Sequence, residues 1–288
     1  MTKRLNAVIY AILAAVFYGF SIPFSKPLLL ELSPLLLAAL VYLGAGLGLL
    51  GLGLMRPWGE RLMITADDRN NMIGMVILDV IAPVLLLLGL TSSPAASASL
   101  LNNFEIVATT VIAMTFFGER VHHKVLFAIA IITASSLILS VDDWSTLHFS
   151  IGSLLILGAT VAWGLENNLT RKLSHRNPLQ IVVIKGLGSG LSSLTLAYLL
   201  DWGQPTLLAI VLALLLGFVA YGLSITLYVR AQRDLGAAKT SAYYAVAPFV
   251  GMVLGWILYN DALKLSFWIA LGLMILGTVI LIRHELKS

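Results

Sequence analysis

Four ionisable side chains lie inside long apolar stretches of the sequence: Asp79, Glu105, Glu166 and Lys185. An ionised side chain at the centre of a lipid bilayer costs about 2.5–3.5 kcal/mol on insertion scales, so we expect these groups to face protein, water or one another. Buried charges of this kind are typical of ion or proton pathways and of structural ion pairs. These four residues are therefore the first candidates for chemistry in this chain.

Glu166 and Lys185 lie on either side of the same predicted loop. Glu166 precedes a basic run that begins at Arg171, and Lys185 follows Pro178, which begins the next segment. At 1.5 Å per helical residue, both groups lie roughly 7–11 Å inside the same membrane face. We predict that they form a structural ion pair. A lysine that lines a polar path, or one that extends to the interface, is the alternative.

Glu105 lies midway along its apolar segment. Asn102 precedes it by three positions and Thr109 follows it by four, so a continuous helix places all three on one stripe. We interpret the stripe as a polar wall of a substrate cavity that could receive an ammonium group or a proton; a hydrogen bond between helices is the alternative. Asp79 lies four residues before Pro83, whose ring leaves a carbonyl unpaired. Substrate contact, gating and a structural role all stay open for Asp79.

Aromatic and hydroxyl side chains recur at helical spacing in several of the apolar segments. Trp163 lies one helical turn before Asn167, which places an aromatic ring beside an amide. An apolar plane next to a hydrogen-bonding group suits an amino acid with a large side chain, whereas packing within a helix bundle is the alternative. The predicted substrate-binding residues are Tyr18, Asp79, Asn102, Glu105, Trp163, Asn167, Tyr221, Ser224 and Tyr244.

Ten apolar segments must position these side chains. A mean hydropathy of +0.95 and a charged fraction of 11% are outside the range of soluble domains. A helix of about 20 residues crosses a hydrocarbon core of roughly 30 Å, and most of the segments reach that length. The sequence therefore predicts an all-α membrane protein with ten transmembrane helices. The segments lie near residues 6–25, 34–55, 71–91, 95–117, 124–141, 150–170, 179–200, 206–230, 237–258 and 264–282.

Positive charge is distributed unevenly between the predicted loops. All but three of the 18 lysines and arginines fall in the termini and loops of one face, and the exceptions are Lys26, Lys185 and Lys264. Because cytoplasmic loops carry the excess of positive charge, we expect both termini to be cytoplasmic, in a bacterial inner (plasma) membrane. The net charge of +4 then follows from membrane topology, so no nucleic-acid partner is expected.

The second set of five segments repeats the first. In an alignment of the two sets, Phe117–Glu119 lies over Tyr259–Asp261. Five crossings is an odd number, so the second copy enters the membrane from the opposite face, and inverted pairs of this kind hold substrates near the midplane. The predicted division is a first repeat over residues 1–145 and a second, inverted repeat over residues 146–288.

Two runs of the sequence resemble a known family. The run from Pro94 to Glu119 and its partner from Gly236 to Asp261 are similar to the fourth and ninth helices of the drug/metabolite transporter superfamily, EamA type. Within that superfamily, the Tyr18-Gly19 and Trp163-Gly164 pairs and the run Asn102–Glu105 look most like the YddG-type aromatic amino-acid exporters. The resemblance implies export of amino acids or similar metabolites by alternating access around a central cavity.

Other function classes remain as alternatives. The same superfamily contains carriers of other metabolites, cationic drugs and nucleotide sugars. Nucleotide sugars would need basic groups in the cavity, and Lys185 is the basic residue inside a segment. An intramembrane enzyme or a receptor is the most distant alternative, because the sequence shows no nucleophile with a base and has short loops.

No enzymatic activity, cofactor or metal site is expected. The chain has no cysteine, its five histidines fall in loops, and the glycine-rich Gly186–Gly190 lacks the Lys-Ser/Thr ending of a phosphate loop. Transport would then be secondary or facilitative. The expected partners are a small-molecule substrate and the lipid bilayer, and the chain is expected to act as a monomer or a homodimer.

Overall fold

The computed structural model describes residues 2–55, 65–118, 122–143, 148–173, 176–201, 203–235, 240, 243–260 and 263–285. Within these residues, α-helices dominate. They are α1 (Thr2–Gly19), α2 (Ser21–Leu28), α3 (Pro34–Met55), α4 (Arg69–Thr91), α5 (Ala95–Leu101), α6 (Phe104–Phe117), α7 (His123–Ser140), α8 (Ile151–Lys172), α9 (Pro178–Leu200), α10 (Leu207–Gly217), α11 (Ser224–Leu235), α12 (Ala247–Tyr259) and α13 (Leu265–Glu285). Two short strands, β1 (Val141–Asp143) and β2 (His148–Phe149), pair antiparallel between α7 and α8.

Eight helical stretches of the described chain are long and apolar enough to cross a membrane. They are Leu5–Leu28, Pro34–Gly53, Ala66–Thr91, Ala95–Phe117, His123–Ser140, Leu179–Leu200, Leu207–Tyr228 and Leu265–His284. Helix α12 is a shorter apolar helix, and α8, with 22 residues, is about 33 Å long but carries several polar side chains. The chain is therefore a multi-pass helical membrane protein, and the full count of ten crossings stays a prediction.

Several of the predicted segments contain interrupted helices. The first is interrupted at Phe20, between α1 and α2, and the fourth at Asn102 and Asn103, between α5 and α6. The eighth contains a π-helical turn over Phe218–Leu223. At the interruption in the fourth segment, the side-chain amides of Asn102 and Asn103 donate to Tyr18 and Thr278 on other helices. Irregular backbone at membrane depth is tolerated where it is buried in protein or lines a cavity, so these interruptions point to the interior.

Helices from the two predicted repeats pack against each other in pairs. Helix α3 packs against α9, α4 against α8, α1 against α11, and α7 against α13. The crossing of α3 and α9 requires glycine, because a Cβ added to Gly186 would lie 2.6 Å from the Cα of Gly46. Small residues at helix crossings let the two backbones approach closely. The interior is thus built jointly by both halves of the chain.

The side chains are arranged as a lipid environment requires. Large apolar residues lie on the outside, for example Leu30, Phe116 and Leu265, which are 87%, 80% and 75% exposed. Polar and charged residues are buried inside, including Asp79 and Glu166 at 0% and 1% exposure. Since lipid cannot satisfy polar groups, this arrangement directs them to one another.

Candidate functional site

Three of the four charged residues inside the segments meet at one point. Lys185 Nζ lies 3.0 Å from Glu166 Oε1 and 3.2 Å from Asp79 Oδ2. The three side chains come from α9, α8 and α4, and we call them the ionic triad. Lys185 has the predicted partner Glu166, and Asp79 joins the pair from the other half of the chain.

The carboxylates of the ionic triad have further partners. The Tyr42 hydroxyl donates a hydrogen bond of 2.9 Å to Asp79 Oδ1, and Thr170 donates to Glu166 Oε1. Such hydrogen bonds satisfy the lone pairs that a buried carboxylate cannot offer to water. The triad is therefore well ordered, although it carries two negative charges against one positive charge.

Tyr42 is a site residue that the sequence analysis missed. It lies in the middle of α3, is 3% exposed, and contacts Asp79 through its hydroxyl. Its sequence signal is weak, because a single tyrosine in an apolar helix is most often packing. The only available hint was that a buried tyrosine hydroxyl needs a hydrogen-bond partner.

Glu105 lies apart from the ionic triad and binds an amide. Asn167 Nδ2 donates to Glu105 Oε1 at 2.7 Å and lies 3.3 Å from Thr109 Oγ1. Asn168 donates to the Thr109 carbonyl at 3.0 Å. Helices α6 and α8 are thus joined by a small polar cluster at the start of α6, where the carboxylate also benefits from the positive end of the helix dipole.

The predicted stripe of Asn102, Glu105 and Thr109 is divided by the interruption between α5 and α6. Glu105 and Thr109 both meet Asn167, whereas Asn102 Nδ2 donates to the Tyr18 hydroxyl at 3.2 Å. A turn at Asn102 and Asn103 changes the direction of the side chains, because the helical period does not continue through it. The structure therefore connects Asn102 to the first segment and Glu105 to the sixth.

Five tyrosines form a continuous row through the interior. Their ring centroids are separated by 5.5 Å for Tyr42 and Tyr221, 5.8 Å for Tyr221 and Tyr18, 5.7 Å for Tyr18 and Tyr244, and 5.0 Å for Tyr244 and Tyr228. These separations are typical of favourable aromatic pairs. The tyrosine row begins beside the ionic triad at Tyr42 and draws its members from both halves of the chain.

Hydroxyl groups hold the tyrosine row in place. Ser224 Oγ donates to the Ala14 carbonyl at 2.8 Å and lies 3.3 Å from the Tyr244 hydroxyl. The Tyr221 side chain lies near the Ser21 hydroxyl. The predicted residues of the first, eighth and ninth segments, Tyr18, Tyr221, Ser224 and Tyr244, are therefore brought together.

Trp163 occupies a different environment from the tyrosine row. It is 5% exposed and lies in the main apolar core, together with Ala82, Leu86 and Ala159. Its ring is therefore packed among aliphatic side chains, and its indole lies near Tyr42. The residue is part of the apolar packing beside Tyr42.

A small cavity adjoins the row at the interrupted helices. It has a volume of about 10 Å³, close to the space that one water molecule needs. Asn102 Oδ1 and Ser99 Oγ are buried beside it without a hydrogen-bond partner. Its lining residues are Tyr18, Gly19, Ser21, Ile22, Ser99, Asn102, Ala247, Pro248 and Gly251. The helices must therefore separate before a metabolite can enter at this point.

Three histidines lie together near the ends of α7 and α13. The His122 ring centroid is 4.0 Å from that of His123 and 4.6 Å from that of His284, with which it stacks. Desolvation and the neighbouring imidazoles lower the pKa of His122. Within the described part of the chain, no group of three His, Cys, Asp or Glu residues could hold a metal ion.

Known proteins resemble this chain over nearly all or over part of its length. An uncharacterized transporter of Methanothermobacter thermautotrophicus is 26% identical over an alignment of 299 positions that covers 97% of this chain and 87% of the relative. A putative permease-like protein of Bacillus subtilis (strain 168), YdzE, is 29% identical over 73 residues, which are 25% of this chain and 94% of that relative. A solved structure described as "Crystal structure of protein" has a TM-score of 0.69 at 15% identity and covers 96% of this chain and 97% of its own, which shows a shared fold.

The family model that matches this chain matches it twice. Residues 5–141 and 150–283 each correspond to the EamA-like transporter family. The two matched ranges contain the paired helices described above, α4 with α8 and α1 with α11. Together with the apolar helices, the two matches make the chain a multi-pass membrane protein whose relatives are transporters. The chain belongs to the EamA-like transporter family.

Proposed function

We propose that this protein is a secondary or facilitative transporter that exports amino acids, with aromatic amino acids favoured, or similar small metabolites. The observation that supports this most strongly is that Glu105 and the tyrosine row are each assembled from both halves of the chain. Both lie in the interior and both are contacted from the opposite half of the chain, Glu105 by Asn167 and Tyr18 by Tyr221 and Tyr244.

The chemistry of the site fits an amino acid. A carboxylate that accepts one amide hydrogen bond, as Glu105 does from Asn167, retains lone pairs for a substrate ammonium group. The rings of Tyr18, Tyr221 and Tyr244 offer faces and edges to an aromatic side chain. Among the described residues, the side-chain amide of Asn102 donates to the Tyr18 hydroxyl alone. It therefore keeps donor capacity for a substrate carboxylate.

Alternating access follows from the pairing of the helices. Helix α4 packs against α8, and α1 packs against α11 in the inverted equivalent of that pair. In a protein of inverted repeats, opening one pair while the other stays closed exposes a central site to one face at a time. Both pairs are in contact in this structure, as a closed state between the two open ones would require.

The membrane location is part of the same proposal. The excess of Lys and Arg on one face supports an inner-membrane protein with both termini in the cytoplasm. Export is then movement from the face that carries the termini to the opposite face. A monomer contains both repeats and suffices for this cycle, while a homodimer is compatible with it.

A second candidate substrate class is organic cations. The described interior contains the carboxylates of Asp79, Glu105 and Glu166 against the ammonium of Lys185. This excess of negative charge, next to a row of tyrosines, suits a positively charged group through charge pairing and cation–π contact. Amino acids remain favoured because the interior also holds amide donors, that of Asn167 at Glu105 and that of Asn102 at Tyr18.

A competition experiment tests the substrate class. Purified protein would be incubated with labelled Phe. Unlabelled Trp, Phe, Met, Thr, a quaternary ammonium compound or a nucleotide sugar would then be added as competitors for the same binding site. Displacement by Trp and Phe at lower concentrations than by Thr supports aromatic amino acids. Displacement by the quaternary ammonium compound alone would move the assignment to organic cations, and absence of specific Phe binding would contradict the amino-acid proposal.

A further inference from the structure

Two lysines near helix ends each lie over an aromatic ring of another helix. Lys26 Nζ, in α2, is 5.7 Å from the ring centroid of Tyr259, the last residue of α12. Lys172 Nζ, in the last residue of α8, is 4.8 Å from the ring centroid of Phe117, the last residue of α6. An ammonium within about 6 Å of a ring centroid is attracted to the face of the ring. Each lysine therefore connects two helices by a cation–π contact.

The internal repeat relates the two contacts to each other. In an alignment of the two matched ranges, Phe117 falls opposite Tyr259, and Lys26 falls opposite Arg171, one position before Lys172. In both copies the aromatic residue ends its helix, and the next residue has a positive φ, 66° in one copy and 46° in the other. Equivalent positions of inverted repeats lie at opposite faces of the membrane. The same kind of contact is therefore placed once at the face of the termini and once at the other face.

Each contact joins one repeat to the other. Lys26 and Phe117 belong to the first matched range, whereas their partners Tyr259 and Lys172 belong to the second. The helices that carry them pack against each other, α2 against α12 and α6 against α8. Separation of α2 from α12 breaks the first contact and leaves the second intact, and separation of α6 from α8 does the reverse.

The residues of the proposed site lie between the two contacts. Helix α6 carries Glu105 near its start and Phe117 at its end, and α8 carries Asn167 little more than one turn before Lys172. On the other side, Tyr18 precedes the lysine of α2 by about two turns. One contact therefore lies between the site and each face of the membrane.

Hydrogen bonds reinforce the contact at the face opposite the termini. Lys26 Nζ donates to the Ser93 carbonyl at 2.6 Å, and the Tyr259 hydroxyl donates to the Pro23 carbonyl at 2.6 Å. The first bond fixes the lysine in place, and the second adds a further link between the repeats. Phe117, the counterpart of Tyr259, has no hydroxyl and cannot make the second bond. The contact at Tyr259 is therefore the more strongly held of the two.

We propose that these two cation–π contacts are the gates of the transporter, and that each keeps its own face closed while the other opens. The Lys26–Tyr259 contact closes the face opposite the termini, and the Lys172–Phe117 contact closes the face of the termini. Both rings are uncharged, so a gate that opens leaves no unpaired negative charge behind it. The inference rests on the alternating access of the proposed function.

Thiol labelling from each face tests the two gates separately. The chain has no cysteine, so Ser99→Cys supplies a single thiol at a side chain that is 1% exposed and lines the small cavity. A membrane-impermeant thiol reagent would be added to right-side-out and to inside-out vesicles, and the labelling rate measures how often each face is open. Tyr259→Leu is expected to raise the rate from the face opposite the termini by about fivefold or more, and Phe117→Leu to do so from the face of the termini.

Each gate variant has a matched control on the same face. Phe116→Leu changes the residue beside Phe117, whose ring is 80% exposed, and Tyr198→Leu changes a tyrosine near the end of α9 that is 73% exposed. Both controls should be labelled at the rate of the Ser99→Cys parent from either face.

The outcomes separate this inference from the proposed function. Faster labelling from its own face alone, in each of the two variants, supports the gates. Faster labelling from the other face, from both faces or from neither, in either variant, overturns them; a fold that is merely loosened opens both faces. Labelling needs no substrate, so Phe transport with unresponsive labelling refutes the gates alone, whereas the predicted labelling without transport of any substrate refutes the proposed function alone.

Discussion

Asn167 Nδ2 lies 2.7 Å from Glu105 Oε1 and so joins a carboxylate of the first repeat to an amide of the second. The pair lies between α6 and α8, which pack against each other and belong to the two matched ranges, so a movement of one repeat against the other would stretch it. Such a site requires a hydrogen bond that an incoming ammonium group can replace without leaving a buried charge unpaired.

The first prediction concerns the charge of Glu105. Glu105→Gln keeps the shape and a hydrogen-bond acceptor for Asn167 but removes the partner of a substrate ammonium. A charge-assisted hydrogen bond contributes about 1.5–3 kcal/mol, so Phe affinity is expected to fall by about tenfold or more. Binding of labelled Phe to purified protein measures the change. Glu31→Gln, whose carboxylate accepts from Thr206 at an exposed position, is the control and should bind Phe like the wild type; equal affinity in Glu105→Gln would remove Glu105 from the site.

The second prediction concerns selectivity for aromatic substrates. Tyr18 packs against both Tyr221 and Tyr244, with centroid distances of 5.8 and 5.7 Å. Tyr18→Leu should weaken the binding of Trp and Phe more than the binding of Thr, because an aromatic pair contributes about 0.5–1.5 kcal/mol beyond its buried area. Tyr18→Phe keeps the ring and loses only the contact with Asn102, so it should preserve the preference. Competition against labelled Phe measures both, and a uniform loss across substrates in Tyr18→Leu would contradict aromatic stacking.

The third prediction concerns the stability of the ionic triad. Lys185→Ala leaves Asp79 and Glu166 buried without their cation, and removal of one partner from a buried ion pair costs about 3–5 kcal/mol. The midpoint of thermal unfolding in detergent should fall clearly. Adding Asp79→Asn and Glu166→Gln to Lys185→Ala removes the unpaired charges and should recover most of that loss. A midpoint that Lys185→Ala does not change would mean that the two carboxylates do not depend on Lys185.

The sequence predicted the contact between Glu166 and Lys185 because that contact depends only on how deep the two residues lie in the membrane. Glu166 and Lys185 lie at similar distances from one shared loop, so helical rise was enough to predict that they meet. Asp79 could not be added to them in this way, because depth does not say which helices are neighbours. The packing of α4 against both α8 and α9 supplies that information, and the packing of α3 against α4 and α9 places Tyr42 beside Asp79.

The interruption of the fourth segment was also beyond the sequence analysis. Apolar composition is continuous from Ala95 to Phe117, and it predicts a span without showing a change of direction within it. The signal was the pair of polar residues Asn102 and Asn103 in an apolar span, whose side-chain amides bond to Tyr18 and Thr278 on other helices. Because of the turn, Asn102 contacts Tyr18 while Glu105 contacts Asn167. Residues that were predicted to lie on one face therefore contact two different helices.

The fourth prediction concerns the crossing of α3 and α9. A Cβ on Gly186 would meet the Gly46 Cα at 2.6 Å and the Tyr42 carbonyl oxygen at 2.9 Å, and backbone atoms cannot move aside cheaply. Gly186→Ala should therefore separate the two helices and lower the unfolding midpoint. Gly272→Ala is the matched control, since a Cβ there would meet nothing within 4 Å and alanine favours the helix. A stable Gly186→Ala protein would show that the two helices are not so closely packed.

Uptake of labelled Trp, Phe, Met, Thr and a nucleotide sugar into proteoliposomes is the most direct measurement of what this protein does. Saturable entry of Trp and Phe, faster than that of Thr and abolished or strongly reduced in Glu105→Gln, is the predicted result. Saturable entry of the nucleotide sugar instead, or entry of Trp and Phe no faster than into protein-free vesicles, would contradict an amino-acid transporter whose site lies between Glu105 and the tyrosine row.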